Sequence, residues 1–190
     1  MLNWIFENVN GRTALVAFVV LSASTVALGL ANPKNEIIGK LCGDYVSTDS
    51  SFYSIDKAAH MFGRYGEDAS LLAAHKTFLR LHDRIYPLCY ALPLVLLLAY
   101  FYPVPEQGGS RRFGWVVLLP LLAMAFDYAE NQTILSVLEA VGKKEPAPPS
   151  LLKVARVFTA LKLSLLLVSL LLLLGFVGSA QARLRELLSR

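Results

Sequence analysis

The sequence is poor in charge and in cysteine for a chain of 190 residues. Charged residues make up 17% of it, whereas apolar residues make up 55%. A soluble domain of this size could not bury that much apolar surface in one core. The two cysteines, Cys42 and Cys89, form no CxxC pair, which argues against thioredoxin-like redox chemistry and zinc knuckles. We do not expect a disulfide between them, because one falls in a predicted loop and the other in a predicted helix.

Recognisable catalytic and binding motifs are also missing. There is no GxSxG, P-loop, dinucleotide fingerprint, HxxxH or HxxEH sequence, and no nucleic-acid-binding motif. We therefore predict no cofactor, no metal site and no nucleic-acid partner, and expect His60, His75 and His82 to be solvent-exposed or interfacial. The net charge of +4 comes mainly from basic residues that flank apolar runs. That placement favours anionic lipid headgroups as the partner.

The apolar residues lie in four long runs, which is typical of membrane-spanning helices. The prediction is an all-α, polytopic membrane protein that forms one domain over residues 1–190. Its four transmembrane helices are expected at about 13–31, 85–102, 113–134 and 151–177. Residues 54–84 form a short interfacial helical segment between helices one and two. The first run is longer than the roughly 7–15 residues of a signal-peptide core, so we expect an uncleaved helix.

The interfacial segment is predicted to hold two helices. The first begins after Ser54 and ends near 63–66, and the second starts around 67–68. The second helix has one apolar face and is expected to lie at the membrane surface before helix two begins. Pro87 and Pro93 predict a kink in helix two. The density of arginine beside the termini and in the 111–112 turn predicts cytoplasmic termini, in a plasma (inner) membrane.

Four ionisable residues lie inside or at the edge of the predicted spans: Asp83, Asp127, Glu130 and Lys162. With a helical rise of ~1.5 Å per residue, all four lie ~21–28 Å above the level of the termini. Three helices thus bring charge to one depth. We expect Lys162 to pair with Asp127 or Glu130, since a charge that faces lipid costs ~2.5–3.5 kcal/mol or more.

Polar neighbours support this cluster. Asn131 shares the face of Asp127 and Glu130, Thr159 lies one turn before Lys162, and Tyr90 shares the face of Asp83. Taken singly, each of the three neighbours suits ordinary packing or a local hydrogen bond. Three carboxylates and one lysine sum to −2, so a carboxyl stays protonated, a cation binds, or an arginine reaches in. The arginines in range are Arg80, Arg84 and Arg156.

These motifs carry a family resemblance. Asp83-x-x-Tyr86-Pro87-x-x-Tyr90, Asp127-x-x-Glu130-Asn131 and Thr159-x-x-Lys162 resemble a broadly distributed set of small four-helix membrane proteins. The resemblance covers roughly residues 54–178, including the short helix and glycine-rich turn at 55–66. It implies that Asp83, Asp127, Glu130, Asn131 and Lys162 form a site, and it supplies no activity.

Three functions suit such a cluster. An intramembrane enzyme that acts on a lipid or lipid-linked substrate would use the carboxyl groups as acid and base and the lysine to steady negative charge. A proton- or cation-coupled carrier or channel would need a homo-oligomer, because four helices are few for a pore. An accessory scaffold subunit of a larger membrane complex would use the buried charges only to fix helix packing. The location of the cluster near a headgroup region favours the enzyme.

Overall fold

The computed structural model describes residues 2–30, 37, 41, 45–48, 53–102 and 113–188, and every element in these ranges is helical. We number the helices α1 (Leu2–Asn8), α2 (Gly11–Leu30), α3 (Ile55–Glu67), α4 (Ala69–Phe101), α5 (Leu119–Gly142) and α6 (Pro149–Leu188). A 3₁₀ turn, Gly114–Leu118, leads into α5. The all-α prediction is confirmed. Cys42 and the 111–112 turn lie outside the described residues, and Cys89 has a free thiol.

Helix α4 differs from the prediction. The sequence suggested a surface helix followed by a separate spanning helix, but α4 is continuous over 33 residues and contains both Pro87 and Pro93. Asp68 caps it, since its side chain accepts hydrogen bonds from the backbone N–H groups of Ser70 and Leu71. At a rise of ~1.5 Å per residue α4 is ~50 Å long. It therefore connects two parts of the molecule that pack differently.

The first part we call the cap. It consists of α3, the residues 69–84 of α4, 131–142 of α5 and 149–156 of α6. Its interior is a continuous apolar core in which Phe62 and Tyr65 of α3 pack between α4 and α5. The α3 helix approaches α5 closely at Gly66, where a Cβ atom would lie 3.0 Å from the carbonyl oxygen of Val141. The apolar face of 69–84 therefore packs against protein. The prediction that this segment lies at the membrane surface stays a prediction.

The second part we call the span. It consists of α2, residues 85–101 of α4, residues 114–130 (the 3₁₀ turn and the first half of α5) and residues 157–181 of α6. Here α4 packs against α2, α5 and α6, with Ala91, Leu94 and Leu97 at the contacts. The outer surface of the span is apolar, and it carries most of the exposed large hydrophobic side chains.

Two of the described helices are long and apolar enough to cross a membrane: Ala69–Phe101 and the stretch Pro149–Gln181 of α6. Only 11% of the most apolar window of α6 is buried, compared with 50% for α4. The high exposure of this apolar stretch of α6 supports a membrane location. A shorter apolar stretch, Gly11–Ser24, lies in α2. The prediction of four spanning helices thus has two supported by length and composition.

Candidate functional site

A buried ion triad lies where the cap meets the span. The ammonium group of Lys162 lies 3.1 Å from Oδ1 of Asp127 and 2.6 Å from Oε2 of Glu130. The three residues are only 8%, 6% and 3% exposed. The predicted pairing of the lysine with the acids of α5 is confirmed, and the lysine contacts both of them.

The triad follows from helical geometry. Asp127 and Glu130 are three residues apart, so both carboxylates project from one face of α5. Lys162 enters from α6, and its three N–H groups allow it to donate to two carboxylates at once. Two carboxylates and one ammonium leave one negative charge in a poorly hydrated place. Such a charge is costly without further hydrogen bonds.

Tyr90 supplies one of those hydrogen bonds. Its buried hydroxyl donates to Oδ2 of Asp127 at 2.9 Å. Asp127 is therefore held on one oxygen by Lys162 and on the other by Tyr90. The contact also brings α4 into the site, so that three helices meet there. Of the three predicted supporting residues, Tyr90 makes the most direct contact with the triad.

Thr159 lies one turn before Lys162 on α6 and is fully buried. Its hydroxyl donates to the carbonyl oxygen of Ala155 at 3.0 Å and lies within reach of the Glu130 carboxylate. The backbone carbonyl of Thr48 lies 3.4 Å away. Thr159 thus lines the side of the triad that faces Thr48.

Asp83 contributes to the site differently from the prediction. It is not among the carboxylates that contact Lys162. Its backbone carbonyl accepts a hydrogen bond from Nδ2 of Asn131 at 3.2 Å. In a regular helix that carbonyl would bond the N–H of residue 87, but Pro87 has none. Asn131 therefore satisfies the acceptor that the proline leaves open, which explains how α4 continues past it and links α4 to α5.

A narrow cleft opens beside Glu130, with room for about one water molecule or a small polar group. Its polar lining comes from Tyr45, Thr48, His75, Asp83, Glu130 and Asn131. Both acids contact Lys162, but of the two only Glu130 lines the cleft. Asp127 and Lys162 lie behind it, on the side of Tyr90.

The tyrosine and arginine side chains around the triad have defined partners. Tyr53 donates to the carbonyl of Leu152 at 2.7 Å. Burial raises the pKa of Tyr53 to about 12, the negative charge of Glu130 adds to the rise and Arg156 opposes it. Arg156 bonds the backbone carbonyl of Tyr53 at 3.5 Å, and Arg80 lies 3.9 Å from Glu139. Neither arginine enters the triad.

The histidines correct another expectation. His75 is buried rather than solvent-exposed, with its ring 5.1 Å from the ring of Tyr65 and 6.3 Å from that of Phe78. It also lines the cleft, a position that its place on the apolar face of α4 does not predict. His82 stacks on Phe78 at 5.8 Å, and His60 is exposed. Within the described ranges, no three His, Cys, Asp or Glu side chains come together as a metal site would require.

No family of known proteins, no curated protein and no solved structure matches the chain. The resemblance to small four-helix membrane proteins therefore stays a prediction. What the site does must be argued from its own geometry.

Proposed function

We propose that this chain is an integral membrane enzyme that performs acid–base chemistry on the polar part of a lipid or lipid-linked substrate. One observation carries the proposal: Glu130 contacts the buried Lys162 and at the same time lines an open cleft. A carboxylate in that position can exchange a proton with a group that enters the cleft. The other residues of the site hold it there.

The membrane location is supported by the surface of the span. Side chains such as Leu167, Leu171 and Leu174 of α6 project away from the protein. Burial of apolar surface is favourable by roughly 25 cal/mol per Å², so an apolar surface of this extent needs an apolar surrounding. We infer that α2, α4, α5 and α6 cross the bilayer in the span and that the cap lies at one membrane surface.

The division of roles follows from the contacts. Asp127 is occupied on both oxygens, which makes it the group that keeps Lys162 in position. Glu130 faces the cleft and is the candidate general acid or base. Lys162 lies behind Glu130 and holds its carboxylate in place through the contact of 2.6 Å. The site is thus a proton donor or acceptor beside a fixed positive charge.

The size of the cleft limits the substrate. It is too small for a whole lipid, so only a polar group can approach Glu130, while the acyl chains stay against the apolar surface of the span. A site at the junction of the cap and the span is where a lipid headgroup would lie.

A structural lock is the second candidate, and one observation favours it. Lys162 pairs with two acids of α5, and Tyr90 of α4 bonds one of those acids, so the contacts fix the register of three helices. Buried ion pairs often serve that purpose. A carrier is less supported, because the interior below Tyr90 is packed with apolar side chains such as Ala91 and Leu94.

The test compares variants in liposomes made from a total polar lipid extract of the expression host, with lipid turnover followed by mass spectrometry. Glu130→Gln removes the proton-exchanging group, and we expect turnover to fall by about 10²–10⁴-fold. Glu139→Gln is the matched control, since Glu139 lies on the same helix, is exposed and contacts Arg80. It should leave turnover unchanged.

Two results would overturn the proposal that the chain is an enzyme. One is a wild-type protein that changes no lipid in the extract. The other is full turnover in folded Glu130→Gln and Asp127→Asn variants. If Lys162→Met/Asp127→Leu/Glu130→Leu keeps the lipid turnover of the wild type, the triad is a lock.

A further inference from the structure

A basic stripe runs along one edge of α4. Lys76, Arg80 and Arg84 are spaced by four residues, so they share one face and cover ~12 Å along the axis. Arg80 and Arg84 are exposed, and Lys76 is half-buried. The stripe begins at the end of α5, where Nζ of Lys76 lies 3.4 Å from the position of a Cβ on Gly142. It ends beside Tyr128, whose hydroxyl donates to the carbonyl of Arg84 at 2.9 Å.

The protein neutralises this stripe only in part. Lys76 lies against the carboxyl end of α5, where helix carbonyls attract cations. Arg80 lies 3.9 Å from Glu139, at the long limit of an ion pair between exposed side chains. Among the described residues, no carboxylate lies within ion-pair distance of the Arg84 guanidinium. The two arginines therefore present positive charge outward.

The stripe coincides with the start of the exposed apolar surface on α4. Leu81 is 58% exposed and Ile85 is 57% exposed, and Leu88 and Leu92 continue the same surface down the span. Arg80 and Arg84 thus stand at the level where apolar surface gives way to polar surface. Partly exposed Tyr86 and Tyr128 lie at the same level, as tyrosines do in membrane interfaces.

We propose that Arg80 and Arg84 bind the phosphate of an anionic phospholipid whose acyl chains lie along Leu81, Ile85 and Leu88. Guanidinium groups donate paired N–H bonds that match the geometry of phosphate oxygens. A phosphate headgroup therefore fits the two arginines better than an uncharged headgroup. The proposal rests on the membrane location proposed above. It adds a lipid-binding edge that is separate from the cleft and holds the cap at a fixed height over the bilayer.

The experiment uses the full chain in nanodiscs of phosphatidylcholine and phosphatidylglycerol, with the lipids that stay bound after detergent extraction counted by native mass spectrometry. Wild-type protein should retain phosphatidylglycerol preferentially. Each arginine near an anionic surface contributes about a fivefold preference, so Arg80→Gln/Arg84→Gln should reduce the preference roughly 25-fold. The charge-matched control is Lys57→Gln/Arg64→Gln on the exposed face of α3, which should keep it.

The outcomes separate this proposal from the preceding one. The proposed lipid-binding edge would be overturned if the wild type retained both lipids equally, or if both double variants lost the preference for phosphatidylglycerol to the same extent. Neither result would affect the proposed membrane location. Release of the protein from membranes by alkaline carbonate would overturn both proposals. Added inorganic phosphate, at matched ionic strength, should not displace the lipid. Displacement by free phosphate would show that the arginines bind a soluble anion instead.

Discussion

The cap and the span are built from the same three long helices, yet they sort their apolar side chains in opposite ways. In the cap, Phe62 and Tyr65 are fully buried, and the only exposed large aliphatic residues, Leu81 and Val154, lie within three residues of its lower edge. The span carries most of the exposed large aliphatic residues, which lie along α2, α4 and α6. Under the proposed membrane location, water would surround the cap and lipid would surround the span. The ion triad lies where the cap meets the span.

The largest expected effect is in the core of the cap. Phe62 is 0% exposed, whereas Leu174 in the span is 68% exposed. Phe62→Ala should lower the free energy of unfolding by about 3–5 kcal/mol, because it leaves a cavity that neighbours cannot fill. Leu174→Ala should change it by less than about 0.5 kcal/mol. Chemical unfolding in detergent micelles measures both, and equal effects would remove the contrast between the two regions.

Loss of the buried cation should be of similar size. Lys162→Met leaves Asp127 and Glu130 facing each other without a counter-charge, and we expect about 3–5 kcal/mol of destabilisation. The control is Lys162→Met/Asp127→Leu/Glu130→Leu, which also removes the two unpaired carboxylates. It should recover most of the lost free energy of unfolding. If the triple variant is as unstable as Lys162→Met, repulsion between the acids is not the reason.

A charge on the outer face of the span tests the surrounding solvent. Leu167→Asp should reduce insertion of the α6 segment by about 2.5–3.5 kcal/mol if that face meets lipid. Lys153→Asp, in the cap portion of the same helix, should have little effect. Glycosylation mapping of insertion in microsomes measures the difference. Equal insertion of both variants would mean that the apolar face of α6 meets protein or water.

The smallest effect is expected from the hydroxyl of Tyr90. Tyr90→Phe removes the donor to Asp127, and a buried charged acceptor without its donor costs about 1–3 kcal/mol. Tyr128→Phe is the matched control, since it removes one hydrogen bond to a backbone carbonyl at a partly exposed position. Its cost should be about 0.5–1.5 kcal/mol. Thermal unfolding in detergent compares them, and a larger loss in Tyr128→Phe would contradict the role given to Tyr90.

The sequence was sufficient to predict the triad because helix geometry determines both depth and face. Asp127, Glu130 and Lys162 could be compared by counting residues from the ends of their runs. The position of Asp83 could not be predicted, because it depends on which acceptor Pro87 exposes and on the amide of Asn131 reaching it. The burial of His75 was missed for a similar reason. An apolar face on 69–84 does not reveal whether α3 or lipid covers it.

The continuity of α4 was not predicted, because residues 54–84 were assigned to a separate interfacial segment and Pro87 and Pro93 to a kink. A proline inside a helix removes one hydrogen bond, and the helix continues when another donor takes the open carbonyl. Here the second donor is Asn131, which is distant in the sequence and comes close only through the packing of α5. Contacts of this kind are tertiary, and no local pattern contains them.

The most direct test compares two sites of equal exposure. Leu167 in the span is 58% exposed, and the side chain of Glu139 in the cap is 57% exposed. In a variant with Cys42 and Cys89 replaced by serine, a nitroxide spin label on a cysteine at either position can be examined in liposomes by power saturation. With the span in lipid, oxygen should relax the label at 167 and a water-soluble nickel chelate should relax the label at 139. If the nickel chelate reached both labels equally, the span would not be in lipid.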